Sequence, residues 1–291
     1  MSSRTVFDDL RQTGETITSP GYWRRLSLVR VMGYLTAMFL SAAVVLPVLY
    51  VVLITFRPES AVFSSELYWI PREPTLENYA AAWEGIRADF INSFIIATGT
   101  AILSLVITVP GAYALGRLNF PGKRKAFFIV VIALMFPAVL LVGPIGSAWR
   151  DLGLFNTFPG IWIAFQAFVA PFSLWILRDF FEGLPNNLEE AARVYGCTNA
   201  SAIYHVIVPL SIPAIVAVTF LAFLTGWNDF LFSNLLTQSD HRPAVVTIYQ
   251  TASGRGAVPW SLVLSQSFIV GAPPVALYFL AQRYMSETFA M

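Results

Sequence analysis

An all-α integral membrane protein with six transmembrane helices is the fold class that the sequence predicts, on three observations. Six windows, 31–56, 90–116, 126–149, 152–177, 206–228 and 256–282, contain no Asp, Glu, Lys, Arg or His, and each runs 23 to 27 residues. At a rise of about 1.5 Å per residue such a window is about 35–40 Å long, enough to cross a hydrocarbon core of roughly 30 Å. Of the 291 residues, 56% are hydrophobic and only 12% charged, about half the charge of an ordinary soluble domain. No stretch alternates with a period of two, which argues against a transmembrane barrel.

Basic residues set the expected orientation. With the N-terminus inside, the cytoplasmic segments hold 12 of the 18 Lys and Arg, and the short loop 117–125 carries Arg117, Lys123, Arg124 and Lys125 with no acidic residue. That bias predicts an N-in, C-in protein with a cytoplasmic segment 1–30 and a transmembrane domain 31–291.

The elements follow in order. The first span contains Pro47. The outer segment 57–89 holds Trp69, Pro71, Pro74, Tyr79 and Trp83, and Thr75 is placed to cap a helix starting after Pro74. Only Arg150 and Asp151 separate spans three and four, which predicts a tight helical hairpin. Prolines 110, 137, 144, 159, 171, 213, 273 and 274 recur through the later spans. Each removes a backbone donor, and those in helix interiors bend or break the helix. An outer segment at about 229–255 separates spans five and six, with Asp229 at its membrane edge.

Several functions are disfavoured. A net charge of +1, with no basic run beyond Lys123-Arg124-Lys125, argues against nucleic acid as a partner. Gly111–Gly116 is followed by Arg117-Leu118, so it is not a phosphate-binding loop. His205 and His241 fall on opposite sides of the membrane and cannot share a metal. The chain is expected to be no enzyme and to bind no cofactor or metal of its own. The windows hold no ionisable group, which disfavours an ion-coupled secondary transporter acting without an ATPase. That reading remains the alternative, because backbone carbonyls can coordinate sodium. Energy is expected to enter from the cytoplasmic side.

The loop 178–205 between spans four and five is longer than a connection requires. Pro185 ends the preceding helix, Asn186 or Asn187 caps a new one, and Glu190 lies three residues beyond Asn187 as in a capping box. Ala191 and Ala192 keep one face slim, and Gly196 falls where a left-handed C-terminal residue is expected. A second helix is expected from Thr198 or Asn199 towards Pro209. Two short helices at a fixed angle make a lever acting on span five and a docking surface for something outside the bilayer.

Glu190-Ala191-Ala192, Gly196, then Val206, Val208 and Pro209 resemble the signature loop of ABC importer permeases. Further stretches are similar to the smaller, six-span permease of the carbohydrate (maltose-type) class: Trp69-Ile-Pro-x-x-Pro-Thr-Leu-Glu-Asn-Tyr79, Arg117-Leu-x-Phe-Pro-Gly-Lys123, Leu152-Gly-Leu-Phe-Asn-Thr157 and Trp227-Asn-Asp-Phe230. Tyr195 and Cys197 depart from the family, which often has Asp and Ala there. The resemblance implies a multi-pass plasma-membrane protein of a prokaryote, forming half of a path for a sugar or polyol. It also implies partners: a second homologous permease, two cytoplasmic ATPases that bind ATP and Mg, and an extracytoplasmic sugar-binding protein. In that scheme Glu190, Ala191, Ala192, Gly196 and Pro209 belong to a coupling helix loop seated on an ATPase. Thr219, Phe223, Gly226, Trp227 and Asn228 of span five are the candidate sugar path, since aromatic faces stack on sugars and amides pair their hydroxyls.

Overall fold

The computed structural model describes residues 20–62, 71–185, 187–254 and 258–288, all of whose regular structure is helical. The segment before Pro20, Trp69 and Ile70 of the outer motif, and the cap candidate Asn186 lie outside the described residues. Two compact units emerge, Met1–Pro74 and Thr75–Met291. The first contains α1 (Pro20–Thr55), which carries Pro47 within a continuous helix, and the single turn α2 (Glu59–Val62).

The second unit is organised by α3 (Glu77–Arg117), a 41-residue helix about 60 Å long. It extends well before the charge-free window, starting where the Thr75 hydroxyl accepts the Glu77 N–H at 3.1 Å. Water gives no hydrophobic drive to join helices inside a bilayer, so close backbone approach has to come from small side chains. Along α3, Ser93, Ala97, Thr100, Ala101, Ser104, Thr108 and Ala112 form such a stripe, and all are buried. Ile91, Ile95, Ile102 and Val106 on the other faces are exposed, as a lipid-facing surface requires.

The stripe packs on α6 (Phe158–Gly183), α10 (Ile212–Asn228) and α13 (Trp260–Thr288). A Cβ on Gly226 of α10 would stand 2.9 Å from the Ala97 Cα, so glycine is what lets these helices touch. Some polar groups in this packing are paired: Gln166 Nε2 donates to the Thr100 carbonyl at 3.2 Å, and Trp227 Nε1 to the Val270 carbonyl at 3.0 Å, while Gln166 Oε1 and the Thr100 and Thr108 hydroxyls meet no partner among the described residues.

Four helices are long and apolar enough to cross a membrane, and the count reaches six if two bent pairs are each one span. Prolines are expected to bend or break helices, and the two pairs bend by 92° and 75°. The third is α4 (Lys123–Met135), a 3-10 turn at Ala138–Leu141 and α5 (Val142–Asp151), with the two halves at 92°. Pro137 forces Phe136 into an extended conformation (φ −77°, ψ 125°), which ends α4. The fifth bends by 75° at Ser211, between Ala200–Leu210 and Ile212–Asn228. Pro110, Pro171, Pro273 and Pro274 interrupt no helix, and Pro159 and Pro213 occupy first turns where no donor is required.

The hairpin between spans three and four is looser than expected. It turns through 152–157, with Gly153 and Asn156 at positive φ, and Thr157 caps α6 by accepting the Gly160 N–H at 3.1 Å. Asn156 takes the Gln238 N–H on its Oδ1 at 2.7 Å and donates its own N–H to the Leu236 carbonyl at 2.9 Å. This ties down the segment after α11 (Leu231–Leu236). Near the start of α3 a charged clamp holds the same region. Buried Asp89 accepts from Arg242 at 3.1 Å and from the Thr247 hydroxyl, while Asn92 Nδ2 reaches the carbonyls of Asp240 and Arg242 and Ser93 accepts the Ala244 N–H that opens α12 (Ala244–Ala252).

Replacing Gly226 by Leu is expected to overpack the α3–α10 contact and destabilise the protein by about 1–3 kcal/mol. Gly143→Ala, with open space around the added Cβ, should leave the unfolding midpoint unchanged or slightly higher. Thermal unfolding of both variants in one detergent checks the contrast.

Candidate functional site

The polar interruption folds as a compact knuckle between α6 and α10. Helix α6 runs through Arg178 to Gly183, so the connection begins six residues later than its charge pattern predicted. Helix α7 (Asn187–Val194) follows Pro185. It stops at Gly196, whose φ of +88° is the left-handed conformation expected there. The Cys197 N–H bonds the Ala192 carbonyl at 3.0 Å and the Gly196 N–H bonds the Arg193 carbonyl at 2.9 Å. These are the two reversed bonds of a Schellman C-cap, which satisfy carbonyls that the helix leaves open.

Thr198 starts the next helix. Its hydroxyl accepts the Ser201 N–H at 3.2 Å and its carbonyl the Ala202 N–H at 2.8 Å. Helix α8 (Asn199–Ala202) runs into a π-helical turn at Ile203–Ile207 and then α9 (Val208–Leu210). Ser211 ends this arm. Its side chain is fully buried and donates to the Ile207 carbonyl at 2.7 Å, and its backbone leads directly into α10.

Among the signature residues, Ala192 is buried, while Glu190, Ala191, Gly196 and Pro209 are exposed. Val194, Tyr195 and Tyr204 are 86%, 89% and 71% exposed, an apolar surface on an otherwise charged element. Single exposed apolar residues are ordinary, whereas a group of large ones on one small knuckle marks an interaction surface.

Sequence reasoning missed what holds the knuckle in place. Arg117, the last residue of α3, is only 5% exposed and pairs with Glu189 of α7 through both ends of its guanidinium, with Nε–Oε1 at 2.9 Å. Its other donors reach the carbonyls of Leu184 at 2.7 Å and Pro185 at 3.1 Å. One planar cation thereby closes the end of α6 and fixes the start of α7, a geometry that lysine cannot reproduce. The signal was present in Arg117-Leu-x-Phe-Pro-Gly-Lys123, but its partner was the glutamate beside the one singled out. The Arg117 hydrogen bonds hold the Glu189 carboxyl below the usual glutamate range.

The candidate path residues separate into two groups. Phe223, Gly226 and Trp227 come together in the α3–α10 packing, with Trp227 1% exposed, stacked on Phe223 at 5.5 Å and edge-on to Phe90 and Phe94 at 5.5 Å each. Asn228 stands apart from them, and Thr219 shares with Phe223 the lining of a separate cavity. Thr219, half-buried, donates to the Ile215 carbonyl and lines a cavity of about 360 Å³ with Phe220, Phe223 and Leu277. Asn228 is exposed at the end of α10. Asp229 caps α11, its Oδ1 accepting the Phe232 and Ser233 N–H groups at 2.9 and 3.2 Å. A larger cavity, about 580 Å³, lies at the break of the third span. Phe136, Phe168, Phe172, Ser173 and Thr225 contribute its aromatic and hydroxyl lining.

The sequence model of the family described as "binding-protein-dependent transport system inner membrane component" matches residues 108–285. The trehalose transport system permease protein SugB of Mycobacterium tuberculosis is 32% identical over 267 residues, covering 90% of this chain and 93% of that protein. The trehalose/maltose transport system permease protein MalG of Thermococcus litoralis is 30% identical over 266 residues, covering 89% and 94%. In three dimensions the chain resembles a chain of a bacterial ABC transporter that imports the acidic polysaccharide alginate. The TM-score is 0.80 at 22% identity, over 91% of this chain and 99% of that one.

Glu189→Gln removes the carboxylate partner of Arg117 but leaves its bonds to the Leu184 and Pro185 carbonyls, a loss of about 1.5–3 kcal/mol for a charged hydrogen bond, and Arg117→Lys loses the two-pronged grip. Both are expected to speed amide exchange across 187–197 at least about ten-fold while the α6 core around Phe165 is unchanged, as hydrogen–deuterium exchange will report. Because Glu189 is depressed in the folded state, its contribution is complete above the ordinary glutamate value and lost as pH falls through the depressed one. Knuckle protection should therefore collapse in acid in the native protein and be flat across that range in Glu189→Gln.

Proposed function

The chain belongs to the binding-protein-dependent transport system inner membrane components, and we propose that it forms half of the translocation path of an ATP-driven importer for a sugar or polyol. It is a multi-pass plasma-membrane permease. In this reading six spans run N-in, C-in, with each bent pair crossing once, and the knuckle faces the cytosol as the coupling helix of one ATPase subunit. A second permease, a second ATPase and an extracytoplasmic binding protein complete the assembly. ATP and Mg are bound by the ATPases, and this chain contributes no catalytic group.

The single observation that carries this reading is the knuckle's combination of rigid mounting and bare surface. Arg117 grips one side of α7 through Glu189, while Glu190, Ala191 and Gly196 are exposed beside Val194 and Tyr195. A surface so fixed and so apolar fits a complementary protein cleft. Motion of that cleft has a short mechanical route, through α8 and the π turn to Ser211 and α10. Swinging such a bundle between two states from 1:99 to 99:1 takes about 5.5 kcal/mol, which ATP-driven closure of a partner supplies more readily than substrate contacts do.

A carbohydrate cargo is supported by the permeases for trehalose and maltose among the relatives and by the cavity at the third-span break. Phe136, Phe168 and Phe172 offer flat apolar faces there, and Ser173 and Thr225 offer hydroxyls. Thr219 lines the separate cavity of about 360 Å³ and Asn228 is exposed at the end of α10, so on the sugar path they stand outside this lining. Phe223, Gly226 and Trp227 act from behind it, by holding α10 against α3.

Glu190→Arg and Gly196→Asp are expected to abolish ATP-dependent uptake in the reconstituted assembly, with each variant still inserted in the membrane. An ion gradient without ATP should drive no accumulation. Wild-type uptake by both variants sinks the coupling assignment, and gradient-driven accumulation by the permease alone sinks the importer reading.

A further inference from the structure

A cavity of about 900 Å³ opens at the membrane edge between the start of α4 and the end part of α6, away from the knuckle surface and from the third-span break. Four cationic side chains line it: Lys123, Arg124 and Lys125 from the first turn of α4, and Arg178 from α6. Three consecutive cations in a first turn oppose the helix dipole, whose positive end favours anions. Nothing local offsets them, because the N-cap is Gly122, in the left-handed conformation and without a side-chain cap, and no acidic residue stands in that turn.

Arg178 is pulled two ways. Its Nη1 is taken by Asp179 at 2.7 Å and by Glu182, both half-exposed, and its guanidinium lies 4.6 Å from the Phe127 ring. Its Nε is buried and finds no partner among the described residues. The wall of the cavity then changes character within one turn of α4: Phe128 and Ile129 line it and are 63% and 66% exposed. The charged rim thus stands where the charge-free stretch 126–149 begins, and the apolar wall continues into that stretch.

The geometry points to a binding site for one anionic phospholipid, its headgroup phosphate held by Arg124, Lys125 and Arg178 and its acyl chains lying on Phe128 and Ile129. Charge complementarity selects the head, and the uncovered apolar wall selects a lipid over free phosphate, which would fill only the rim. Basic pockets at the membrane boundary recognise lipid headgroups by this combination. Lys123 has a separate task, since its Nζ donates to the Gly116 carbonyl at 3.3 Å and tethers the loop to α3.

The test uses the full-length protein, purified in mild detergent, stripped of lipid and titrated with phosphatidylglycerol or phosphatidylcholine under native mass spectrometry. Each basic residue at a membrane surface contributes roughly five-fold to anionic-lipid affinity, so Arg124→Gln with Lys125→Gln is expected to weaken phosphatidylglycerol binding about 30-fold. Phosphatidylcholine binding should not change. The charge-preserving pair Arg124→Lys with Lys125→Arg should bind as the native protein does, which separates loss of the site from loss of the fold. Three results overturn the proposal: equal affinity for the two lipids, undiminished phosphatidylglycerol binding in the Gln pair, or complete displacement of the lipid by millimolar inorganic phosphate. None of these depends on ATP-coupled transport.

Discussion

Arg117 is the point at which three pieces of backbone are made to agree. It closes a 41-residue helix, and its guanidinium is shared between a carboxylate and the carbonyls that follow α6. A buried cation is costly unless every donor is matched, so this residue tolerates one arrangement of its neighbours and penalises others. That intolerance turns a loop of short helices into a fixture.

The first half of α3 repeats the logic. About 28 residues and some 40 Å away, Asp89 collects Arg242 and Thr247 and thereby holds the segment around α12. Between the two clamps the helix carries the buried stripe of small residues on which α6, α10 and α13 rest. A single continuous helix thus links two charged fastenings, one at its last residue and one in its first half, to the packing between them. Displacement of the knuckle is resisted by the whole helix rather than absorbed by one turn.

Much of this was legible in the sequence, for physical reasons. Charge-free windows located the apolar helices because the cost of burying charge in hydrocarbon is large and independent of the fold. Gly196 and Thr198 were legible because a left-handed residue and a hydroxyl cap are local requirements. The positions of the bends were not. Pro137 breaks its helix whereas Pro110 and Pro171 lie inside continuous ones, and no local pattern separates the cases. Glu189 was overlooked beside Glu190 because a pairing over 72 positions leaves no trace in spacing. Trp227 and Phe223 illustrate the opposite difficulty: an aromatic residue suited to stacking on a sugar is equally suited to stacking on another aromatic, and here they stack on each other.

The right angle at Phe136 also bears on how the bilayer's electric field is distributed. The carbonyls of Leu134, Met135 and Phe136 meet no donor among the described residues, and the last residue of that group adjoins Pro137, midway between Lys125 and Arg150. Hydrocarbon cannot satisfy such groups, so wherever this stretch lies within a bilayer they require a neighbouring helix or water as donor. Where water penetrates, the membrane voltage falls across the remaining thickness alone, and an ionised group there would be driven by it at up to about 2.3 kcal/mol per charge per 100 mV. Residues 126–149 contain no such group. The stretch therefore adds no ionised side chain on which such a field could act.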